Sequence, residues 1–155
     1  MRNTYQTIFL VLVTIASAIP SANAGEHVYK ANNAKWKSEC SACHLAYPPQ
    51  LLPAESWRAM MTQLDKHFGA DASLDAKTAA EISAFLEANA GRGKRETTGK
   101  SPLRITETRW FKKEHDEVPS QVWSSAAVKQ PSNCAACHTQ AERGDYSERS
   151  LRVPR

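Results

Sequence analysis

The sequence predicts a mainly α protein of two small units, the second shorter and less regular than the first. Three observations carry that expectation. Apolar residues from Trp57 to Phe68 recur at helical spacing. No strand pattern interrupts the N-terminal half. A glycine-rich, basic stretch from Gly91 to Ser101 parts residues 25–90 from residues 102–155.

In chain order, residues 1–24 read as a cleavable secretory signal. Met1-Arg2 is the basic start, Ile8 to Ile19 is an apolar run of twelve residues, and Ala22-Asn23-Ala24 is the cleavage site. That run falls short of the roughly 18 apolar residues needed to cross a bilayer, and no second one follows. The expectation is an exported, soluble chain of 131 residues rather than an integral membrane protein.

The first unit, 25–90, opens on Cys40-Ser41-Ala42-Cys43-His44. Leu45 to Pro53 follows, an extended loop by its three prolines. Trp57, Met60, Met61, Leu64, His67 and Phe68 then form one apolar helical stripe, with Gly69 where a C-cap glycine belongs. A second helix runs from a cap at Asp75 through Ala79, Ile82, Phe85 and Leu86 toward Gly91. The linker 91–101 holds three of the six glycines and four basic residues against one acid, the composition of a solvated connection. In the second unit, 102–155, only brief helical stretches are expected, near Glu107–Glu114 and around Cys134-Ala135-Ala136-Cys137-His138.

Composition poses a problem. Leu, Ile, Val and Phe number 18 of the 131 residues after Ala24, about 14%, below the roughly 20% at which a chain readily buries a core. The two cysteine motifs resolve it. Cys-x-x-Cys-His is the attachment sequence of c-type haem. Thiols one turn apart reach two vinyl groups on one porphyrin edge, and the adjacent histidine lies under the ring as an axial iron ligand. Zinc ribbons want about 15–20 residues between pairs, whereas 90 separate Cys43 from Cys134. Neither a disulfide nor a thioredoxin-like pair requires His44 or His138. Two covalent haems then serve as the missing core. The secretory signal agrees, because such attachment occurs outside the bacterial cytoplasm, which puts the protein in the periplasm. About four propionate charges offset the net +3 left after signal removal, so nucleic-acid binding gains no support.

Each iron needs a sixth ligand or stays open. His27, His67 and His115, with Met60 and Met61, are the candidates left over. His67 shares the apolar stripe, where a porphyrin-facing histidine serves as a ligand; Met60 and Met61 on that stripe read as packing. His115 is flanked by Trp110, Phe111 and Trp123, aromatic walls for a second pocket. His27 lies where a chain end frays and is the reserve. The carbonyl near Pro48 or Pro49 is placed to accept the Nδ1–H of His44 and fix its tautomer.

Several segments resemble the periplasmic dihaem cytochrome c family across nearly the whole mature chain. They are Tyr47-Pro48-Pro49, Leu52 to Trp57, Leu64 to Gly69, Ala72 to Asp75, Arg104 to Thr108, Ser132 to His138, and Arg143 to Asp145. The resemblance implies a class I cytochrome c-like N-terminal domain, a small, irregular C-terminal haem domain, and bis-histidine ligation with His67 and His115 as distal ligands. It also implies redox partners, an oxygen-binding monohaem cytochrome and a membrane cytochrome b.

Function follows from whether the irons are closed. Two histidines per iron leave no substrate site and make an electron carrier, not an enzyme. A dihaem peroxidase or reductase needs one open iron with acid–base groups beside it. A ligand sensor or carrier needs one five-coordinate iron, and becomes credible if His115 is not a ligand.

Overall fold

The computed structural model describes residues 27–92 and 101–154. The expected signal, residues 1–24, and most of the linker lie outside the described residues. Among them the protein is mainly helical: α1 (Ala34–Cys40), α2 (Ala54–Met61), α3 (Ala76–Ala88), α4 (Arg109–Glu114) and α5 (Ser120–Trp123), joined by short 3-10 turns. No strand forms among these residues, only isolated bridges.

Local chemistry accounts for the starts of α1 to α4. Asn33 caps α1 by accepting from the Trp36 N–H at 2.8 Å. Asp75 caps α3 in the same way from Thr78 N–H at 3.0 Å, as its sequence suggests. Thr108 caps α4 through Phe111 N–H at 3.0 Å. Helix α2 follows Pro53 and carries Glu55 in its first turn, where a carboxylate opposes the positive end of the helix dipole.

The stripe from Trp57 to Phe68 is not one helix. It stops at Met61, where the Thr62 hydroxyl turns back on Ala59 O at 2.9 Å. A 3-10 turn, Leu64–Lys66, comes next. His67 therefore stands in a tight turn closed by Ala70 N–H on His67 O at 3.1 Å. Phe68 and Gly69 fill its centre with φ of 51° and 100°. Two successive positive φ values are the mark of such a turn, and they explain the glycine better than a helix C-cap does.

The buried centre of the first unit is Trp36, Leu52, Trp57, Ile82 and Leu86, with Met60 and Met61 packed against it. Helices α2 and α1 both lean on α3. The Lys35–Glu81 ion pair links α1 to α3 at the surface, where such pairs contribute little. Loop 45–53 is interrupted at Pro49–Leu51, which closes into a 3-10 turn with Pro49 and Leu51 buried, before Leu52 and Pro53 return to extended backbone. That turn directs the Pro49 carbonyl at the buried Trp57 Nε1–H, which donates to it at 2.7 Å. Trp57→Phe removes this bond and leaves the carbonyl only the longer one from Leu52 N–H at 3.4 Å. It should cost about 1 kcal/mol, read as a lower midpoint in urea unfolding; an unchanged midpoint would show that the bond contributes nothing.

The second unit buries little: Phe111, Val128 and Ala141, with Thr108 and Ser147. It is held to the first by contacts far apart in sequence. Tyr29 N–H donates to Gly144 O at 2.8 Å, and Tyr146 N–H to His27 O at 2.9 Å. Residues 27–29 thus lie on the second unit. His27, expected at a frayed end, has its imidazole edge-on to Trp110 at 6.2 Å.

Candidate functional site

Both cysteine motifs sit where a helical segment ends. Cys40 is the last residue of α1, and Ser41 caps it, so Cys43 and His44 follow in the succeeding turn. The second motif is itself a turn of 3-10 helix, Cys134–Ala136, with His138 N–H donating to Cys134 O at 2.8 Å. All four thiols are free of disulfides. Burial pushes the Cys40 and Cys134 thiols up to about 11. An activated catalytic cysteine shows the opposite shift, so thiol chemistry of the thioredoxin type finds no support.

The structure brings four of the histidines singled out in the sequence into two pairs. The His44 and His67 rings have centroids 6.1 Å apart and planes 20° apart. The His115 and His138 centroids are also 6.1 Å apart, with planes at 77°. Imidazole–metal bonds of about 2 Å, plus about 1 Å from nitrogen to ring centre on each side, place two axial imidazoles about 6 Å apart. Each pair offers two donors. Among the described residues no three His, Cys, Asp or Glu side chains cluster as a metal site of their own.

Hydrogen bonds orient one ring of each pair. His44 Nδ1 lies 2.8 Å from Leu45 O, not from Pro48 or Pro49; the Pro49 carbonyl is already taken by Trp57. His115 Nδ1 lies 2.9 Å from Phe111 O, one helical turn back. A proton on Nδ1 in each bond leaves Nε2 free to coordinate. The other two rings have Nδ1 buried without a hydrogen-bond partner among the described residues. Burial, then the facing His44 and the Arg104 guanidinium, lower the pKa of His67. Burial and the facing His115 lower that of His138, against the pull of Asp145. Both shifts favour the neutral form that a metal ligand requires.

A cavity of about 390 Å³ opens beside the first motif, with Trp36, His44 and Pro48 on one side and Ala135, Ala141 and Gly144 of the second unit on the other. Both units line it, and charged Lys37, Glu142 and Arg143 stand among the apolar walls. Nearby, Tyr47 lies on the His44 ring at 4.9 Å and 26°. Its hydroxyl donates to Ser132 O at 2.7 Å, two residues before Cys134. Burial, then the neighbouring Cys134, push its pKa up to about 12, so it stays a donor. Neither these contacts of Tyr47 nor the 27–29 pairing could be expected from the sequence. Both join residues across long separations, and no local pattern announces them.

A mainly helical chain with two such motif-and-imidazole sites is a small c-type cytochrome with two haems. The chain matches the dihaem cytochrome c family over residues 36–146 and belongs to it. It carries two covalently attached c-type haems with their irons. It is similar to the diheme cytochrome c from Rhodobacter sphaeroides, with 46% identity over 77% of this chain and 99% of that one, at a TM-score of 0.69. A second structure, of DHC purified from Rhodobacter sphaeroides, is 48% identical over 74% of this chain and 97% of that one, at 0.65. The diheme cytochrome type c from Shewanella baltica is 38% identical over 79% of this chain and 93% of that one, at 0.70. No curated protein matches the chain.

Proposed function

We propose that this protein is a periplasmic electron carrier, not an enzyme, which passes single electrons between redox partners through two closed bis-histidine centres. The observation that carries the reading is the pairing of imidazoles at 6.1 Å in both halves. Haem, when bound, supplies the one-electron iron couple. Cys40 and Cys43 hold the first porphyrin edge and Cys134 and Cys137 the second. His44 with His67 would hold the first iron, and His138 with His115 the second. Two imidazoles at each iron would exclude exogenous ligands and would place the potential below that of a His/Met pair.

The first unit, with its motif at the end of α1 packed on α3, reads as a class I cytochrome c-like domain. The second, held by short turns, reads as a small, irregular haem domain. Residues 1–24 act as the export signal. No helix among the described residues is long and apolar enough to cross a membrane. In this reading the electron donor is a membrane cytochrome b and the acceptor an oxygen-binding monohaem cytochrome. Family membership alone supports that choice of partners.

Carbon monoxide tests closure. The dithionite-reduced protein should show no spectral change on mixing, and the oxidised protein no far-red sulfur-to-iron band. Rapid uptake at either iron would sink the carrier reading. Attachment is tested separately: in Cys134→Ala/Cys137→Ala, haem retained after denaturing extraction should fall from two per chain to one. Retention of two would reassign the thioethers.

A further inference from the structure

The two imidazole pairs share a spacing but not an orientation, and the chain builds the difference. In the first pair the hydrogen-bonded ring is the motif histidine, His44, held by Leu45 O at 2.8 Å. In the second pair it is the histidine outside the motif, His115, held by Phe111 O at 2.9 Å. Phe111 fixes that ring twice. Its carbonyl takes the Nδ1 proton, and its own ring lies on the imidazole at 4.1 Å and 19°. Trp123 limits rotation from another side at 5.8 Å. The facing ring, His138, is set independently against Tyr146 at 5.2 Å and 49°. The two planes therefore meet at 77°, whereas His44 and His67 lie within 20° of parallel.

The geometry points to two electronically different centres, a parallel one at His44/His67 and a perpendicular one at His115/His138, with Phe111 as the positioning residue that sets the second. This rests on the bis-histidine reading above. An imidazole donates π density into the iron d orbital that lies normal to its plane. Parallel rings both raise the same orbital and split the pair, giving a rhombic low-spin ferric signal. Perpendicular rings raise both orbitals alike, so the pair stays near-degenerate and orbital angular momentum survives. The outcome is a single, strongly anisotropic signal at low field. Groups behind a ligand that fix its plane are a recognised lever on a haem centre.

The test is electron paramagnetic resonance of the oxidised, haem-loaded protein. One rhombic and one low-field anisotropic low-spin signal are expected, in equal spin concentration. Two rhombic signals would overturn the perpendicular assignment while leaving bis-histidine ligation intact. A high-spin component would instead overturn the ligation itself, so the two failures are distinguishable. Phe111→Leu removes the stack while keeping the backbone carbonyl. It should abolish or shift the low-field signal alone, with both haems retained. Phe111→Tyr restores the stack and should restore the signal. A Phe111→Leu spectrum identical to wild type would remove Phe111 from the positioning role, and the wild-type spectrum decides the perpendicular assignment even if that variant fails to fold.

Discussion

With His67 replaced by Ala, reduced protein binds carbon monoxide at one of its two haems, and the oxidised protein gains a high-spin signal from half of its iron. The imidazole that faces His44 across 6.1 Å is gone, and Met60 and Met61, packed on the core cluster, remain there rather than replace it. The opened centre also rises in potential, because an imidazole that stabilises ferric iron has been lost. His115→Ala has the same effect at the other centre, opposite His138, and the double variant opens both. His27→Ala is the informative control. His27 lies edge-on to Trp110 at 6.2 Å, and its carbonyl accepts from Tyr146 N–H, so its substitution leaves both irons closed. Carbon monoxide uptake by His27→Ala, with none by His115→Ala, would transfer the distal role at the second iron to His27.

Gly144→Ala is expected to destabilise the protein by about 2–4 kcal/mol, measured by urea unfolding of the haem-loaded form. Gly144 has φ +77°, and a Cβ there would stand 2.2 Å from the Tyr29 carbonyl oxygen. The obstacle is backbone, so no side-chain rotation relieves it. The segment must move, and Tyr29 N–H then leaves Gly144 O, the bond that holds residues 27–29 on the second unit. Gly69→Ala separates this clash from backbone conformation alone. Gly69 has φ +100°, and a methyl group added there would meet nothing within 4 Å, so only the conformational cost of about 1 kcal/mol applies. Equal losses in the two variants would show that the close approach to Tyr29 contributes nothing.

The parts of this molecule readable from sequence are those whose chemistry is local. A Cys-x-x-Cys-His run contains its own thiols and imidazole within one turn, so the two haems were legible from ten residues. Asp75 caps α3 because its side chain reaches Thr78 N–H three residues on. His67 and His115 stood out by their apolar and aromatic neighbours, and the fold sets each opposite a motif histidine. The same local logic overextended α2. Period-3.6 spacing continues to Phe68, but periodicity registers only which residues share a face and not where the backbone stops. The Thr62 hydroxyl on Ala59 O and the positive φ at Phe68 decided that. The carbonyl partner of His44 was misplaced for a related reason, since Pro49 O had been claimed by Trp57 from the following helix. Contacts that join the units, Tyr47 to Ser132 and Tyr29 to Gly144, pair residues 85 and 115 positions apart. One hydrogen bond at that separation leaves no periodic trace in either segment. The angle between two imidazole planes is more remote still, because it depends on rings from separate elements, each oriented by its own neighbours. Only when the chain has closed on itself do those neighbours exist, and so the tertiary structure alone makes the two centres different.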